Sequence, residues 1–571
     1  MNRQQRRAAQ KQSPAAAADP IRQLLLNAAR HQQLNEFPEA ARLYKRLLAI
    51  EPEHAEAHNN LGVVLLAQGK RAEASAHFAH SLGLVPQLFD RFAEIRSVLM
   101  QVLPSLAPAL QRAVEAWPQR LPAERLLQGG IEDIAADPLL LCALETAPVR
   151  DVSFERLLTS LRASLLDAAA ETKPVSEAVL AFACALAKQC FINEYVFATT
   201  PGEDAQADAL KAVLGSGAAI APLAVAALAM YEPLHALPAG ATLLQRRWPA
   251  AVDDLLTQQL RMPQVERELR DSIPRLTPIE DAVSQRVRAQ YEENPYPRWV
   301  KLDHDVKPVA VEAYLREMFP TAAFSPLAKS EAVEVLVAGC GTGHFTIWLA
   351  RRLAGTRFLA VDLSLSSLCF AKRMTPAAVA DRIAYAQGDI LKLDGLKRSF
   401  DVIDASGVLH HMADPYEGWR ILLQLLRPGG FMHVCLYSER GRGDVVKARE
   451  FIAAHGYTAS AADIRRCRQD LLDTPMRELV RFNDFFSTSD CRDMLFHVQE
   501  SRTAIPELKA RIAAFGLNFL GFAFNRVLQQ QYQALFASRG WALNDLDRWH
   551  ALELERPDTF SGMYELWLQK P

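Results

Sequence analysis

From Val333 onward the chain alternates short apolar runs with amphipathic segments, and this alternation limits the possible folds more than any other feature. The first apolar run, VEVLVAG, is followed by HFTIWLARRL, in which apolar residues recur at helical spacing. Further apolar runs are RFLAVDL, IAYAQGD, FDVIDASG and GFMHVCLY, with helical segments between them. Apolar strands separated by helices require a parallel sheet that is covered on both faces. We therefore predict an α/β domain in the C-terminal half of the chain.

Candidate functional residues fall at the ends of the predicted strands. Ligands of parallel sheets bind at the carboxyl ends of the strands, so these positions are the expected binding edge. The residues that follow or end the five strands, in chain order, are Gly339, Gly341 and Gly343, then Asp362, then Asp389, then Ser406–His411, and then Tyr437. Their agreement on one edge is a stronger signal than a glycine motif alone.

The residue types at this edge suggest which ligand they bind. Alternate glycines let backbone N–H groups approach a ligand, and the helix N-terminus after them favours a carboxylate or a phosphate. Asp362 follows Gly343 by about 20 residues, a spacing suited to bonding both hydroxyls of a ribose. Asp389 is suited to accept a hydrogen bond from an exocyclic amine such as N6 of adenine.

Two cofactors fit a glycine turn followed by an acid: a nicotinamide dinucleotide and S-adenosylmethionine. The dinucleotide fingerprint is G-x-G-x-x-G, whose last glycine lets the helix pack under a pyrophosphate. Here His344 stands at the position of that last glycine, so the spacing does not match. S-adenosylmethionine has no pyrophosphate, and at this turn it needs space only for its amino-acid portion. The glycine spacing therefore disfavours a nicotinamide-dependent oxidoreductase.

The ordered motifs resemble those of the class I S-adenosylmethionine-dependent methyltransferases. The match consists of VLVAGCGTG, LAVDLS, QGDILKL, FDVIDASGVLHHMADP and LLRPGGFMHV, and it covers residues 330 to 440 or so. The resemblance implies a Rossmann-like seven-stranded domain, S-adenosylmethionine as cofactor and methyl transfer as the reaction. The LHH segment and the RPGG turn look like the small-molecule methyltransferases of ubiquinone and menaquinone synthesis. The whole chain looks like bacterial tetratricopeptide-containing methyltransferases, which names no substrate.

The resemblance also implies which residues contact the cofactor. They are Gly339, Cys340, Gly341, Gly343, Asp362, Leu363, Asp389, Ile390, Ser406 and Gly407. The glycine turn would line the methionine portion, Asp362 the ribose and Asp389 the adenine, while Ser406 or Gly407 would lie below the sulfonium. The structural alternatives are a simple tight turn for the glycines and a helix N-cap for Asp389.

His410 and His411 are the candidate catalytic bases. They stand where a base would sit, and a histidine titrates near neutral pH, which matters if the methyl acceptor must lose a proton. The alternative is that one histidine packs beside the cofactor and the other caps the next helix. Tyr437, His497 and Glu500 are weaker candidates. The eight cysteines are scattered singly with no CxxC pair, so we predict no metal site.

The N-terminal part carries an internal repeat. NEFPEAARLYKRLLAIEP and GKRAEASAHFAHSLGLVP share small, aromatic and proline positions; Ala40 matches Ala74, Tyr44 matches Phe78, and Pro52 matches Pro86. This pattern resembles two tetratricopeptide repeats, each a pair of antiparallel helices. Because two repeats are few for a solenoid, both a partner-binding surface and a packing role remain open.

These observations predict a division of the chain into five parts. They are a disordered basic tail (1–20), two tetratricopeptide-like repeats (21–92), an all-helical region (93–288), a linker or clamp segment (289–328), and the methyltransferase domain (329–571) with a helical insertion at about 441–510. The basic, alanine-rich tail is also compatible with a mitochondrial presequence.

Composition narrows the partners. A formal net charge of −2 gives no overall attraction to nucleic acid or to an anionic membrane. The apolar stretch AAIAPLAVAALAMY is short and contains Pro222, so we predict a buried helix rather than a membrane span. The scattered cysteines suit a cytoplasmic protein.

The methyl acceptor is either a small molecule, which the LHH segment and the insertion favour, or a protein recruited by residues 21–92. The alternative to an enzyme is a tetratricopeptide scaffold whose methyltransferase-like domain is not catalytic.

Overall fold

The computed structural model describes residues 14–85, 92–302, 307–328, 331–560 and 562–571. These residues form two compact units. The first comprises the described residues up to Arg261 with Val300 and its neighbours, and the second comprises Met262–Trp299 and the described residues from 307 onward. Each unit has its own hydrophobic core. None of the described helices is both long enough and apolar enough to cross a membrane.

The regular structure described in the first unit is helical, as predicted. Its α-helices are α1 (Pro14–Gln33), α2 (Phe37–Ile50), α3 (Ala55–Ala67), α4 (Arg71–Leu84), α5 (Phe92–Val102), α6 (Leu106–Ala116), α7 (Ala123–Leu126), α8 (Glu132–Ala135), α9 (Pro138–Thr146), α10 (Val152–Ala170), α11 (Glu177–Ile192), α12 (Pro201–Gly215), α13 (Pro222–Ala229) and α14 (Ala250–Leu256). The apolar stretch around Pro222 is the buried helix α13.

Helices α1–α4 form the two helical hairpins that the sequence repeat predicts. The small and aromatic residues at equivalent positions are buried between the helices; they are Ala40, Ala74, Tyr44 and Phe78. Asn35 and Gly69, also equivalent, both adopt a left-handed backbone (φ 58° and 77°) at the turn between the two helices of a hairpin. Pro86, the proline that matches Pro52 in the repeat, lies outside the described residues.

The predicted N-terminal tail is partly helical instead of disordered. Helix α1 begins at Pro14, so residues 14–20 belong to it. Alanine has the highest helix propensity and proline is tolerated in a first helical turn, which explains why PAAAAD begins a helix. Residues 1–13 of the predicted tail lie outside the described residues.

The second unit contains a mixed sheet and its covering helices. The strands are β1 (Val333–Ala338), β2 (Thr356–Asp362), β3 (Ile383–Gln387), β4 (Phe400–Ala405), β5 (Leu426–Ser438), β6 (Arg502–Thr503), β7 (Asn518–Phe522) and β8 (Met563–Gln569). The α-helices are α15 (Met262–Leu269), α16 (Ala282–Glu293), α17 (Val311–Met318), α18 (His344–Arg352), α19 (Leu365–Met374), α20 (Ala377–Ala380), α21 (Pro415–Leu425), α22 (Gly443–His455), α23 (Ala461–Leu472), α24 (Thr488–Phe496), α25 (Ile505–Ala514), α26 (Arg526–Ser538) and α27 (Leu546–Glu555).

The strand order confirms the predicted Rossmann-like sheet. It is β3-β2-β1-β4-β5-β8-β7, with the two-residue β6 paired to β5. Strands β1–β5 are parallel, and β8 runs antiparallel between β5 and β7. The order changes direction between β1 and β4, which is the switch point where such sheets bind ligands.

The register brings the ends of the parallel strands to one edge. Val337 of β1 lies opposite Ala360 of β2 on one side and opposite Asp404 of β4 on the other. Asp362 lies opposite Gln387, the last residue of β3. The residues that follow these strands therefore surround a common space.

The boundary between the units differs from the predicted one. The all-helical region was expected to reach residue 288, but helices α15 and α16 belong to the second unit. A backbone connection explains this: the Leu276 N–H donates to the Gln387 carbonyl (2.8 Å), and the Gln387 N–H donates to the Pro274 carbonyl (2.9 Å). The segment that leads into α16 is thus bonded to the end of β3.

The repeat hairpins allow a matched test of packing. In α3, a Cβ on Gly62 would lie 2.8 Å from the buried ring of Phe78, whereas a Cβ on Gly83 in α4 would lie 4.0 Å from the nearest atom, Cys142 Sγ. We expect Gly62→Ala to lower the free energy of unfolding by about 1–3 kcal/mol through overpacking. Gly83→Ala should raise it by up to about 1 kcal/mol, because alanine is the better helix former. Urea denaturation followed by circular dichroism measures both, and equal effects would contradict the packing of this hairpin.

Candidate active site

A cavity of about 280 Å³ lies at the carboxyl edge of the sheet. Its walls come from the segments after β1, β2, β3 and β4 and from one face of α16. The sequence-predicted residues that line it are Gly339, Cys340, Gly341, Asp362, Leu363, Asp389, Ile390, Ser406, Gly407 and His411. Gly343 and His410 are not among its lining residues.

The glycine turn is required by both backbone geometry and packing. Gly339, Gly341 and Gly343 have φ values of 81°, 51° and 78°, a region that other residues rarely adopt. A Cβ on Gly339 would lie 2.6 Å from Val408, and one on Gly343 would lie 2.7 Å from Ala371. Gly343 is the N-cap of α18 and serves packing beneath the turn.

Asp362 fastens this turn to the end of β2. One carboxylate oxygen accepts the N–H of Gly341 and the other accepts the N–H of Ser364, each at 2.8 Å. Burial raises the pKa of Asp362 to about 6, against these backbone N–H groups, which lower it. Each oxygen keeps a further lone pair, and Asp362 lines the cavity.

Asp389 presents a buried acceptor without a donor. Its Oδ1 accepts the Leu391 N–H at 3.0 Å, so it does cap the 3₁₀ turn Ile390–Gly395. Its Oδ2 is buried and accepts no hydrogen bond. Burial raises the pKa of Asp389. The Leu391 N–H and the neighbouring Ser284 hydroxyl lower this pKa, but by less than burial raises it. Because an unsatisfied buried acceptor costs about 1–3 kcal/mol, this atom fits a ligand that brings its own N–H donor.

The proline-rich segment before residue 300 binds the glycine turn directly. The Thr342 N–H donates to the Tyr296 carbonyl at 3.3 Å, and the Thr342 hydroxyl donates to the Pro297 carbonyl. The Trp299 indole N–H donates to the Thr342 carbonyl at 3.2 Å. Tyr291 and Tyr296 line the cavity, so this segment forms part of its wall.

Behind Ser406 lies a buried ion pair that the sequence analysis did not identify. The Ser406 hydroxyl donates to Asp404 Oδ1 at 2.6 Å, and His433 Nδ1 lies 2.7 Å from the same oxygen. Although burial opposes its charge, the Cys435 thiol and the Asp404 carboxylate raise the pKa of His433 well above its usual value. Asp404 and Ser406 both line the cavity, which therefore has an anchored polar wall at the end of β4.

The two predicted histidines have different surroundings. His411 lines the cavity, and its Nδ1 lies 2.9 Å from the Gln499 carbonyl. A carbonyl only accepts, so Nδ1 carries the proton and Nε2 keeps a lone pair. Burial lowers the pKa of His411, although the Asp493 carboxylate opposes this. His410 instead packs against the Tyr437 ring (3.7 Å between centroids), and burial lowers its pKa well below the usual value.

Three further residues complete the group around His411. Asp493 Oδ1 lies 4.0 Å from His411 Nε2 and accepts the Tyr291 hydroxyl at 2.5 Å. His497 stacks on His411 with 3.6 Å between ring centroids, and its Nε2 lies 3.1 Å from the Tyr291 hydroxyl. The sequence marks Tyr291 only by the aromatic segment around it and His497 only as a weak candidate. Asp493 carries no local signal, because helix α24 is brought to His411 by the fold.

Among the described residues, His411, Asp493 and His497 are also the group close enough to share a metal ion. The geometry suits hydrogen bonding better. The two rings are nearly parallel (20°), so their lone pairs do not converge on one point. The Gln499 N–H donates to His497 Nδ1 at 3.1 Å, which leaves the proton of neutral His497 on Nε2.

Comparison with known proteins agrees with this architecture. Residues 336–432 match a family model described as a methyltransferase domain, and residues 31–69 match one described as a TPR repeat. An uncharacterized protein of Synechococcus is 30% identical over 298 residues, which cover 49% of this chain and 70% of that protein. Methyltransferase GfsG of Streptomyces halstedii is 28% identical over 29% of this chain and 59% of its own length. The ubiquinone biosynthesis O-methyltransferase of Methylocella silvestris is 33% identical over 23% of this chain and 52% of its own length.

Solved structures include PKMT2 from Rickettsia typhi in complex with AdoHcy, at 19% identity and a TM-score of 0.36, over 45% of this chain and 52% of that one. This chain thus spans between half and three fifths of the named methyltransferases above.

The fold, the glycine turn and the paired acids define a nucleotide-cofactor domain of the methyltransferase type. The chain belongs to the class I S-adenosylmethionine-dependent methyltransferases and carries N-terminal tetratricopeptide repeats. Its cofactor is S-adenosylmethionine, and the orphaned Oδ2 of Asp389 is an acceptor that the adenine amine can satisfy.

Asp362 provides a direct test of this site. In Asp362→Ala the cavity loses a carboxylate acceptor and the turn loses its bond to β2, so we expect the Kd for S-adenosylmethionine to rise about 10- to 100-fold, corresponding to about 1.5–3 kcal/mol. Isothermal titration calorimetry measures this change. The matched control is Asp381→Ala, which removes an exposed carboxylate of the same unit and should leave the Kd unchanged. Equal affinities for the two variants would exclude Asp362 from the site.

Proposed function

We propose that this protein transfers the methyl group of S-adenosylmethionine to a small molecule whose attacking atom bears a proton. One observation carries the proposal: His411, whose Nε2 is unprotonated, lines the same cavity as the glycine turn, Asp362 and Asp389. A cavity that contains both the cofactor-binding residues and a neutral imidazole suits a methyl acceptor that must be deprotonated, such as a hydroxyl.

The cofactor contacts follow from the strand ends. Gly339, Cys340 and Gly341 would hold the methionine portion. Asp362 beside Leu363 would accept from the ribose, and Asp389 beside Ile390 would accept from the adenine amine. Ser406 and Gly407 would hold the sulfonium region. The ion pair of His433 with Asp404 supports this placement of Ser406, because it holds the residue that the Ser406 hydroxyl bonds.

When bound, S-adenosylmethionine supplies a methyl group that is already activated for displacement. The chain contributes mainly position and the exclusion of water. Tyr291 and Tyr296 close the cavity above the turn, and their segment is bonded to Thr342. Such alignment accounts for about 7–11 kcal/mol of barrier lowering in well-oriented reactions.

His411 receives the proton that the acceptor loses. The Gln499 carbonyl holds its Nδ1–H, so Nε2 is the atom that accepts. The imidazolium that forms lies 4.0 Å from the Asp493 carboxylate, which stabilises the new charge, and the Tyr291 hydroxyl holds Asp493 in place. Asp493 and Tyr291 are thus positioning residues. His410, outside the cavity lining, supports the wall through its contact with Tyr437.

The cover of the cavity favours a small acceptor. Buried groups of the insertion surround the base, since Asp493 and His497 are only 4% and 2% exposed. The name of the ubiquinone biosynthesis relative points to the same class of acceptor.

A protein acceptor is the second candidate, because the repeat hairpins are of a type that binds protein segments. We would incubate the protein with methyl-labelled cofactor and two fractions of cell extract, a low-molecular-weight filtrate and the retained proteins. We expect label in a filtrate compound and stoichiometric S-adenosylhomocysteine. Label in the retained proteins would favour the protein acceptor, and turnover with neither fraction would favour a non-catalytic scaffold.

The base is tested by His411→Ala. We expect kcat to fall about 10²- to 10⁴-fold at neutral pH, while the Kd for S-adenosylmethionine stays unchanged, because the variant loses only the proton acceptor. In the wild type at saturating cofactor, activity should be retained at pH 6.5 and lost only at lower pH, since protonation removes the lone pair and burial keeps the pKa of His411 below its usual value. The measurement is the rate of S-adenosylhomocysteine formation against pH.

The control for this test is His455→Ala, which removes an exposed histidine of α22 and should keep the wild-type profile. A His411→Ala enzyme with the wild-type kcat at every pH would show that the acceptor needs no base from His411.

A further inference from the structure

A second concave site lies along a neighbouring face of helix α16. It is a recess of about 470 Å³ in the second unit, between α16, the start of α19 and residues 270–279. Three arginines line it: Arg270, Arg275 and Arg288. The two sites use neighbouring faces of α16, because Ser284, Val287 and Tyr291 line the cofactor cavity while Arg288 and Glu292 line the recess.

The recess holds positive charge that its own residues do not neutralise. Glu292 is the one carboxylate among its lining residues. That carboxylate already accepts the Leu365 N–H at 2.7 Å and the Ser366 hydroxyl at 2.6 Å, at the N-terminus of α19. It also lies 3.3 Å from Arg270. Arg275 and Arg288 make no ion pair within the described part of the chain.

The backbone at Arg275 and Arg288 is held by hydrogen bonds. Residues on both sides of Arg275 are bonded to the end of β3, through the Pro274 carbonyl and the Leu276 N–H to Gln387. Arg288 is in the middle of α16, whose N-terminus is capped by Asp281. Like charges held close together in a concave site repel one another and focus a positive potential, so an anion that enters the recess is favoured.

We propose that this recess binds a phosphate-bearing small molecule. The planar fork of a guanidinium matches two phosphate oxygens, and charge-assisted bonds of this kind are about twice as strong as neutral ones. Three guanidinium groups suit an anion of two or more charges. The recess is larger than a single phosphate requires, so it takes a phosphate with an attached group or a diphosphate. The proposal is independent of the methyl acceptor and of His411.

The test uses the full chain and two probes, inorganic pyrophosphate and inorganic orthophosphate, titrated by calorimetry at constant ionic strength. We expect one binding site, with pyrophosphate tighter than orthophosphate. The double variant Arg275→Gln/Arg288→Gln should bind pyrophosphate at least tenfold more weakly. The matched control is Arg286→Gln, which removes the same charge from an exposed position of α16 outside the recess and should bind like the wild type.

Three outcomes overturn the proposal: no binding of either probe, equal affinity of the double variant and the wild type, or an equal loss in Arg286→Gln. Folding is checked by circular dichroism and by the Kd for S-adenosylmethionine. If the glutamine variant does not fold, the double variant Arg275→Lys/Arg288→Lys is used to test pyrophosphate binding in the recess. It keeps both charges but lacks the fork, so it should bind pyrophosphate several-fold more weakly, and unchanged affinity overturns the assignment.

Discussion

The bond between Asp362 and the glycine turn is the constraint on which the rest of the site depends. Three glycines with positive φ place backbone N–H groups toward the end of β2, and the Asp362 carboxylate accepts the one from Gly341. The same turn is held from above by the carbonyls of Tyr296 and Pro297. Because a side chain on Gly341 would lie 2.6 Å from the Tyr296 carbonyl, the turn and the segment above it specify each other.

The second feature is a buried polar group assembled from distant parts of the chain. Tyr291 comes from α16, His411 from the segment after β4, Asp493 from the last turn of α24, and His497 from the residue that follows this helix. In a buried setting these hydrogen bonds are strong and a missing partner is costly, so the group orders the insertion against the sheet. That order leaves the Nε2 of His411 unprotonated, in a residue that lines the cavity.

Much of the fold was predictable from local patterns. Apolar runs and helical spacing identified β1–β5, and the repeat identified the hairpins of α1–α4, because both follow from periodicity along a few residues. Residues 14–20 belong to the predicted basic, alanine-rich tail, yet their alanines begin a helix by local propensity. Elsewhere, prediction failed where the deciding contact is remote. Helices α15 and α16 looked like a continuation of the helical region, although the backbone bonds of Gln387 join their connection to β3.

The sequence by itself determined the sheet, the glycine turn and the acids at the strand ends, since each is encoded within a short segment whose residue types leave few alternatives. Only the tertiary structure decided which histidine faces the cavity and what surrounds it. His410 and His411 are neighbours of the same residue type, so the sequence does not distinguish them. Their surroundings differ in the fold, because His410 packs on Tyr437 while His411 lies against Gln499 and Asp493. Contacts between distant segments depend on packing in three dimensions, and no spacing along the chain records them.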